Sequence, residues 1–234
     1  MTHPSSQHIR IWDLPTRLFH WALAFCVIGA IVTVKLGGLW MDWHLRLGVC
    51  ALALVGFRLV WGVMGPRYAR FSQFVVTPRV AWQYTRREAS ATQRNPGHNP
   101  LGAWSVIALL ALVAYQAITG LFANDDIMVQ GPLAGYVSSD LSASLTGWHA
   151  LTEYLIYGLV GLHILAILIY RMRGKNLIQP MITGDAPAAE LTTGSLSAQD
   201  DWRVRLSALA LAIIFGAGAW WLIQLASQAA PSFS

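Results

Sequence analysis

Four histidines lie within or at the ends of long apolar runs, where an ionisable side chain is costly to place. They are His20, His44, His149 and His163. Imidazole nitrogens bind metal ions and exchange protons, so a histidine in such a run usually faces a partner inside the protein. The other three, His3, His8 and His98, stand in polar or turn-rich segments and are expected to be ordinary surface residues. The candidate chemistry therefore lies with the first four.

The spacing of these histidines gives two pairs at matching depths. His149 and His163 are fourteen residues apart, close to four turns at ~3.6 residues per turn, so both face one side of their helix. At ~1.5 Å per residue, His163 and His20 each lie ~10–12 Å from the nearer end of their runs. His44 and His149 each stand at the start of a run that enters from the other side. We call His20 with His163 the inner pair, and His44 with His149 the outer pair.

Two pairs of imidazoles stacked across a membrane indicate haem. Haem iron takes axial imidazoles on opposite faces of its ring, and facing helices of a bundle supply such pairs. Zinc is disfavoured, because two histidines leave its shell short and no carboxylate lies beside each pair. A proton relay is an alternative, although relays usually include acids. Glu153 is the only acid deep enough in a run, and it is expected near the outer surface. A histidine at a helix end can also be a plain interface residue, but four matched depths favour two haems.

Two arginines and three glycines stand where a haem would need them. Arg58 shares a face with the histidine of its own run at the inner level, so we predict an ion pair with a haem propionate. Alternatively, the side chain of Arg58 extends its charged group toward the inner membrane surface. Arg46 is predicted to meet a propionate at the outer pair or to cap the interface. Room for the flat macrocycle is predicted at Gly29, Gly48 and Gly161.

The composition indicates which elements position these residues. Of 234 residues, 55% are apolar and only 12% are charged, whereas soluble domains carry ~25% charged residues. So few charges cannot cover a soluble surface, and so many apolar residues exclude disorder. The two cysteines, Cys26 and Cys50, are too few for a disulfide framework, a cysteine-based zinc cluster or an iron–sulfur centre. We therefore expect an integral membrane protein.

Five apolar runs are long enough to span a bilayer, which takes ~20 residues. Each is predicted to be a helix, because backbone groups in lipid must pair within their own segment. Asp13 and Pro15 indicate a helix start, with Asp13 as N-cap, rather than a signal peptide. The predicted spans cover residues 15–37, 43–64, 101–123, 148–170 and 206–226.

Basic residues set the predicted orientation. Arg10 lies in the N-terminal tail and Arg17 at the entry of the first run, and arginine and lysine are frequent in the connections after the second and fourth runs. The connection after the third run is acidic. The positive-inside rule then places the N-terminus and both basic connections in the cytoplasm, and the C-terminus outside. Most of the bases behind the net charge of +5 therefore set the orientation of the protein in the membrane, and nucleic acid is not expected as a partner.

The remaining segments are predicted to support the spans. Residues 71–84 are amphipathic and are expected to lie along the inner leaflet. Residues 185–200 are rich in Ala, Thr, Ser and Gly and are expected to be a flexible linker, which would make the fifth run a peripheral addition. In the third run, Tyr115, Gln116 and Thr119 are expected to hydrogen-bond a neighbouring helix, with a quinone carbonyl as the alternative.

Several segments resemble the bacterial cytochrome b561 superfamily, which also contains the b-type cytochrome subunits of nickel–iron hydrogenases. The first helix carries WDLPTRLFHW at 12–21, and the second ends in RLVWG at 58–62, followed by YARF at 68–71. HNPLG at 98–102 and TGLF at 119–122 are also typical. The resemblance covers roughly residues 9–180.

The resemblance implies an all-α membrane protein in which a four-helix transmembrane bundle holds two b-type haems, with a fifth C-terminal transmembrane helix added. We divide the chain into a di-haem domain (1–180), a cytoplasmic linker (181–205) and the fifth helix (206–234). The implied axial ligands are the four histidines that spacing selects: His20, His44, His149 and His163.

The resemblance also implies a place and a role. Members are multi-pass proteins of the bacterial inner membrane that carry electrons between the quinone pool and a partner redox protein. For this chain we expect membrane lipid, an exchangeable quinone, and a periplasmic c-type cytochrome or a hydrogenase as partners. The sequence fits an electron-transfer cytochrome subunit, whether alone or as part of a quinone-linked oxidoreductase.

Two other functions are alternatives. Some relatives are superoxide:ubiquinone oxidoreductases, and a basic outer opening would attract that anion. Here the outer connections are acidic apart from Lys35 and Arg46, which counts against this reading. The second alternative is a non-redox membrane anchor or transporter subunit whose histidines are structural.

Overall fold

The structure is a computed structural model that describes residues 8–86, 97, 99–125, 129–187 and 196–229. Helices dominate these residues, and a 3₁₀ turn at Ala134–Tyr136 precedes the longest of them. In chain order the elements are β1 His8–Arg10, α1 Leu14–Leu36, α2 Trp40–Met64, α3 Phe71–Phe74, α4 Pro78–Thr85, α5 Pro100–Leu121, α6 Ser139–Met172, α7 Ile178–Thr183, β2 Asp185–Pro187 and α8 Trp202–Ala229.

Five helices, α1, α2, α5, α6 and α8, are long and apolar enough to cross a membrane, with mean hydropathy between 1.9 and 2.1. Much of their apolar surface points outward. Phe25 is 71% exposed, Ile214 is 67% exposed and Leu155 is 57% exposed. Soluble proteins rarely present large continuous apolar surfaces to water, whereas lipid solvates them at no cost. The chain is therefore a mostly helical, multi-pass membrane protein, as the composition predicts.

The fourth span is longer than hydropathy predicts, because α6 begins at Ser139 rather than near residue 148. Its polar first turns are held by side chains. The backbone N–H of Leu141 donates to Ser138 Oγ at 3.3 Å, and Ser142 Oγ donates to the carbonyl of Phe122 at 2.8 Å. Hydropathy marks only the apolar part of a helix, whereas hydrogen bonds at the N-terminal turns extend this one beyond it.

The predicted start of α1 is confirmed. The backbone N–H and the hydroxyl of Thr16 donate to the two carboxylate oxygens of Asp13 at 2.9 and 2.8 Å. The indole N–H of Trp61 donates to the same carboxylate at 3.1 Å. Burial raises the pKa of Asp13, while these hydrogen bonds to the charged form oppose the rise. Asp13 thus caps α1 and joins its first turn to the end of α2.

The chain divides into two compact units. The first unit consists of Met1–Leu18, Arg58–Ala108 and Leu162–Ala208, and the second consists of Phe19–Phe57, Leu109–Gly161 and Leu209–Ser234. Both units take residues from all five long helices, and each is described separately below.

The first unit contains a pair of short strands that the sequence does not predict. β1 pairs antiparallel with β2, and Ile9 lies opposite Ala186. A small buried cluster packs beside the pair and consists of Ile11, Trp12, Tyr68, Ala186 and Ala198. Three-residue strands have too little pattern to recognise in a sequence, and here tertiary packing supplies their stability.

The linker before α8 is docked at both described ends, although the sequence predicts a flexible segment. The hydroxyl of Tyr68 donates to the carbonyl of Leu196 at 2.7 Å, and Ala198 N–H donates to the carbonyl of Arg10 at 2.7 Å. Residues 185–187 form β2. The small polar composition that predicts flexibility cannot reveal backbone hydrogen bonds to a distant part of the chain. Residues 188–195 of the predicted linker lie outside the described residues.

The amphipathic stretch predicted at 71–84 forms two short helices, α3 and α4, in the first unit. Phe74 on α3 is buried, whereas Trp82 on α4 is 60% exposed. Trp104, in the second turn of α5, donates from its indole N–H to the carbonyl of Val76 at 3.1 Å. The two short helices are thus attached to the start of α5.

The second unit has a core to which α8 contributes, whereas the sequence predicts a peripheral fifth helix. Ala219 of α8 is buried in one cluster with Val49 of α2 and Leu121 of α5. Phe215 lies so close to Gly56 that a Cβ on Gly56 would be 2.3 Å from the ring atom Cε1. A helix that is apolar on all sides does not reveal which face is packed, so only the tertiary structure identifies this contact.

Candidate functional site

The outer histidines are brought together in the second unit. His44 lies in the second turn of α2, and His149 lies on α6. Their ring centres are 6.0 Å apart, and the two ring planes are nearly perpendicular at 86°. Both side chains are half-buried. Two imidazoles from two helices therefore face each other, as the matched depths of the outer pair predict.

Each ring of the outer pair is held by one nitrogen. His44 Nδ1 lies 2.9 Å from the carbonyl oxygen of Ala30, and His149 Nδ1 lies 2.9 Å from the carbonyl oxygen of Gln116. A carbonyl only accepts, so in the neutral rings Nδ1 carries the proton and donates it. Nε2 then carries the free lone pair. A histidine that binds a metal through Nε2 needs this tautomer. Both rings are therefore prepared for coordination through Nε2.

The side chain of Gln116 makes a second hydrogen bond to His149, in addition to that of its backbone carbonyl. Its Nε2 donates to the carbonyl of His149 at 2.9 Å, and its Oε1 accepts a hydrogen bond from the hydroxyl of Thr152. The prediction that Gln116 hydrogen-bonds a neighbouring helix is confirmed. Thr119 donates to carbonyls of its own helix, at 2.9 Å to Tyr115 and 3.0 Å to Gln116, and its Oγ1 also lies 3.4 Å from His149 Nδ1 on the neighbouring helix.

Gly120 provides the space in which the His149 ring lies. A Cβ at this position would be 2.8 Å from His149 Cε1 and 3.2 Å from Nδ1. Any other residue would displace the ring, because real Cβ atoms do not approach so closely. This role of Gly120 cannot be predicted from the sequence, where the glycine appears only within the TGLF motif. Spacing along the chain does not show which ring lies against it.

The outer pair fits a haem iron. An imidazole nitrogen lies ~2 Å from a bound metal, and the ring centre is ~1 Å further away, so two rings on opposite sides of one metal have centres ~6 Å apart. The observed 6.0 Å matches this distance. Among the described residues, no three His, Cys, Asp or Glu side chains group to hold a metal ion. A haem needs only two protein ligands, because its porphyrin supplies the other four nitrogens.

Two of the three glycines predicted to leave room for a macrocycle have open space. No atom lies within 4 Å of a Cβ added to Gly48 or to Gly161. Gly29 differs, since an added Cβ would be 2.9 Å from Leu47 Cδ1. At Gly29 the space is filled by the side chain of a neighbouring helix, so this glycine serves close helix packing.

The inner histidines fall in different units. His20 on α1 belongs to the second unit, where its ring centre lies 5.0 Å from that of Trp21. His163 on α6 belongs to the first unit. Both side chains are half-buried. Their pairing rests on matched depth in the sequence and stays a prediction.

Arg58 is a buried cation with an unused hydrogen-bond donor. It is 3% exposed, and its guanidinium carbon lies 4.6 Å from the ring centre of Phe71. Its Nη1 has no hydrogen-bond acceptor among the residues that the structure describes. A buried donor without an acceptor is costly, and more so when it is charged. Arg58 is therefore suited to bind an anionic group through Nη1, which no described residue accepts from.

Arg46 has a protein partner. Its Nε donates to Asp42 Oδ2 at 2.7 Å, and its guanidinium carbon lies 5.9 Å from the ring centre of Trp43. The side chain is 45% exposed. This arrangement matches the alternative of an interface cap, and the propionate contact of Arg46 stays a prediction.

Comparison with known families agrees with this geometry. The family model described as prokaryotic cytochrome b561 matches residues 11–184. Comparisons with curated proteins and with solved structures give no match. The matched region contains both outer histidines and all of the transmembrane helices except α8. The chain therefore belongs to the prokaryotic cytochrome b561 family, which consists of b-type cytochromes of membrane electron transfer.

Proposed function

We propose that the chain is a di-haem b-type cytochrome that carries electrons across the inner membrane between the quinone pool and a partner redox protein. The partner would be a periplasmic c-type cytochrome or a hydrogenase. One observation carries the proposal, namely that the rings of His44 and His149 lie 6.0 Å apart with each Nδ1 at a backbone carbonyl.

His44 and His149 would hold the outer haem, whose iron supplies one-electron chemistry when bound. The protein fixes where that chemistry takes place. The carbonyls of Ala30 and Gln116 keep the proton on Nδ1 of each ring, and Gly120 keeps the space for the ring of His149. Hydrogen bonds from Nδ1 also make the opposite nitrogen a stronger donor to the metal.

A second haem would use His20 and His163. Matched depth along the spans supports this pair, and the match to prokaryotic cytochrome b561 covers both residues. Arg58 supports it independently, because a buried guanidinium with a free Nη1 suits a propionate. That ion pair would satisfy the donor and compensate the buried charge.

The orientation is part of the proposal. Bases concentrate in the N-terminal tail and in the connections after α2 and α6, which supports a cytoplasmic N-terminus and a periplasmic C-terminus. Alkaline phosphatase, which folds only outside the cytoplasm, tests this. A fusion after α8 should be active, and a fusion between α2 and α5 should be inactive; the reverse result contradicts the proposed topology.

The two alternative functions are less well supported. The bases near the outer pair are each matched by an acid: Lys35 Nζ lies 2.6 Å from Glu153 and Arg46 lies 2.7 Å from Asp42. Such pairing leaves little net charge to attract superoxide. A non-redox anchor would have no need of two imidazoles arranged for a metal.

Haem content tests the proposal directly. The native protein and the His149→Ala variant are purified, and haem per polypeptide is measured together with the reduced absorption spectrum. We expect about two haems in the native protein and one fewer in the variant. His8→Ala, which removes a histidine from β1, is the matched control and should keep both haems. Native protein without a reduced-haem absorption band would refute the function, and unchanged haem in His149→Ala would refute the outer site.

A further inference from the structure

A cluster of ionisable side chains lies near the outer pair in the second unit. Lys35 Nζ at the end of α1 lies 2.6 Å from Glu153 Oε1 on α6. The hydroxyl of Tyr157 donates to the same carboxylate oxygen, and Lys35 Nζ lies 5.6 Å from the ring centre of Tyr157. We call Lys35, Glu153 and Tyr157 the outer polar cluster.

The outer polar cluster is close to the haem ligand His149. Glu153 follows His149 by four residues on the same helix, which is about one turn or ~6 Å along the axis. Residues four apart lie on one face of a helix, so the carboxylate and the imidazole share a side of α6. Ionisable groups that lie in membrane-spanning helices, even near the ends, are uncommon and usually have a function.

The cluster lies at the outer end of two membrane-spanning helices and is partly exposed on the protein surface. The side chain of Lys35 is 58% exposed and that of Glu153 is 22% exposed. The neighbouring Tyr154 is 69% exposed, and its ring centre lies 6.3 Å from that of Tyr157 at an angle of 89°. A ligand that diffuses within the bilayer could therefore reach the carboxylate, the ammonium and the phenol from the side.

The donors and acceptors of the cluster define the ligand class. Lys35 and Tyr157 can donate hydrogen bonds to a carbonyl oxygen, and Glu153 can accept one from a hydroxyl. The exposed ring of Tyr154 can pack against a flat ring. A lipid-soluble ligand with carbonyl oxygens in one oxidation state and hydroxyls in the other, on a flat ring, is a quinone.

We infer that the outer polar cluster binds the head group of a lipid-soluble quinone, with Glu153 accepting a proton from the hydroquinone. This inference rests on the proposed electron-transfer function and locates its quinone site. Oxidation of one hydroquinone releases two electrons and two protons. The haem that His44 and His149 would hold and the second haem proposed at His20 and His163 would each accept one of these electrons. One proton goes to the Glu153 carboxylate and the other to water beyond the exposed side chain of Lys35.

The experiment uses the full chain in lipid nanodiscs and two readouts. The first is the dissociation constant of a short-chain benzoquinone, measured by quenching of tryptophan fluorescence on the oxidised protein. The second is the rate at which the matching hydroquinone reduces the bound haem. Glu153→Gln should slow this reduction by ~10²-fold, because it removes the proton acceptor. Tyr157→Phe should raise the dissociation constant by ~10-fold, because a hydrogen bond to the ligand is lost.

Matched controls separate this site from a structural ion pair. Asp42→Asn removes a different carboxylate near the outer pair, and Tyr136→Phe removes the hydroxyl of an exposed tyrosine outside the cluster; both should leave the two readouts unchanged. Native-like binding and reduction in Glu153→Gln and Tyr157→Phe would overturn the inference while haem content still supports the proposed function. Native protein that lacks haem would instead overturn the proposed function, and the binding readout would still test the site.

Discussion

At the scale of single residues, the outer site is controlled by atoms that surround the histidines. The carbonyls of Ala30 and Gln116 decide which nitrogen of each ring carries the proton. Gly120 decides whether the ring of His149 can occupy its position. Metal affinity commonly falls 10–100-fold when such supporting contacts are lost. The predictions at this scale therefore concern residues that do not bind the metal themselves.

Gly120→Ala should disturb the outer haem that we propose at His44 and His149. The added methyl group would lie 2.8 Å from His149 Cε1, so the ring must rotate away from its Nδ1 hydrogen bond. We expect about one haem per polypeptide to be lost or its spectrum to shift, because supporting contacts set ligand geometry. Gly158→Ala on α6, where no atom lies within 4 Å of the added Cβ, is the control and should keep the native haem content. An unchanged spectrum in Gly120→Ala would contradict this role.

Replacing Arg58 by Met should lower the midpoint potential of one haem. A nearby cation stabilises the reduced, more negative haem, so its removal favours the oxidised form. Loss of a ~1.4 kcal/mol interaction would shift the potential by about 60 mV for one electron. Potentiometric titration of the two haems provides the measurement. Arg173→Met, on an exposed arginine after α6, should leave both potentials at their native values.

At the scale of elements, helix packing in this protein depends on small residues and shape. Lipid tails are as apolar as the surface of these helices, so moving that surface from lipid into a helix contact brings no hydrophobic stabilisation. The helices are instead held together by close van der Waals contact. Phe215 of α8 lies against Gly56 of α2, and Ala219 is buried beside Val49 and Leu121. The fifth helix should therefore stabilise the domain, even though the family match ends at residue 184.

Phe215→Ala tests whether α8 belongs to the core. Removing a packed ring leaves a cavity that costs roughly 1–3 kcal/mol in the free energy of unfolding, with the lower end expected in lipid. The measurement is unfolding in mixed micelles with increasing SDS. Ile214→Ala is the matched control, since Ile214 is 67% exposed on the same helix and should have little effect. Equal free energies of unfolding for the two variants would contradict a core role of α8 and support a peripheral one.

At the scale of the whole molecule, distant parts of the chain meet in one ion network of the first unit. Asp200 accepts from Arg10 at 2.6 Å and from Arg205 at 3.2 Å, and Arg10 also pairs with Asp185 at 2.6 Å. The side chain of Asp200 is only 5% exposed. The network joins the N-terminal tail, β2 and the start of α8, whose residues are far apart in the sequence.

This network should make stability depend on pH. Burial acts to raise the pKa of Asp200, but hydrogen bonds from Arg205, the Leu14 N–H and Arg10 outweigh it and lower the pKa below its usual value. A carboxyl with a lowered folded-state pKa stabilises the fold above its unfolded value of ~3.9, and that contribution is lost as the pH falls through the folded value.

We therefore expect the thermal stability of the native protein to fall between about pH 5 and pH 3. Asp200→Asn should be less stable at pH 7 and should lose part of this pH dependence. Thermal unfolding followed by tryptophan fluorescence across this range gives the measurement. Asp201→Asn, which changes the adjacent exposed carboxylate, serves as the control and should keep the native pH profile. Identical profiles for Asp200→Asn and the native protein would contradict the assignment.

The sequence by itself determines the membrane class, the approximate spans, the cap at Asp13 and the family. Each of these follows from residue type and spacing along a single helix, where hydropathy and periodicity are sufficient. It also singles out His44 and His149, because equal depth is a one-dimensional property. The sequence does not determine which residues of other helices contact these histidines, because hydropathy does not encode how one apolar helix is rotated against another.

Only the tertiary structure decides which contacts complete these elements. The carbonyl of Ala30, the space at Gly120, the packing of Phe215 on Gly56 and the pairing of β1 with β2 all join residues far apart in the chain. The physical reason is that helices in lipid associate by shape and hydrogen bonds rather than by burial of apolar surface. Those interactions depend on three-dimensional fit, which spacing along a sequence does not contain.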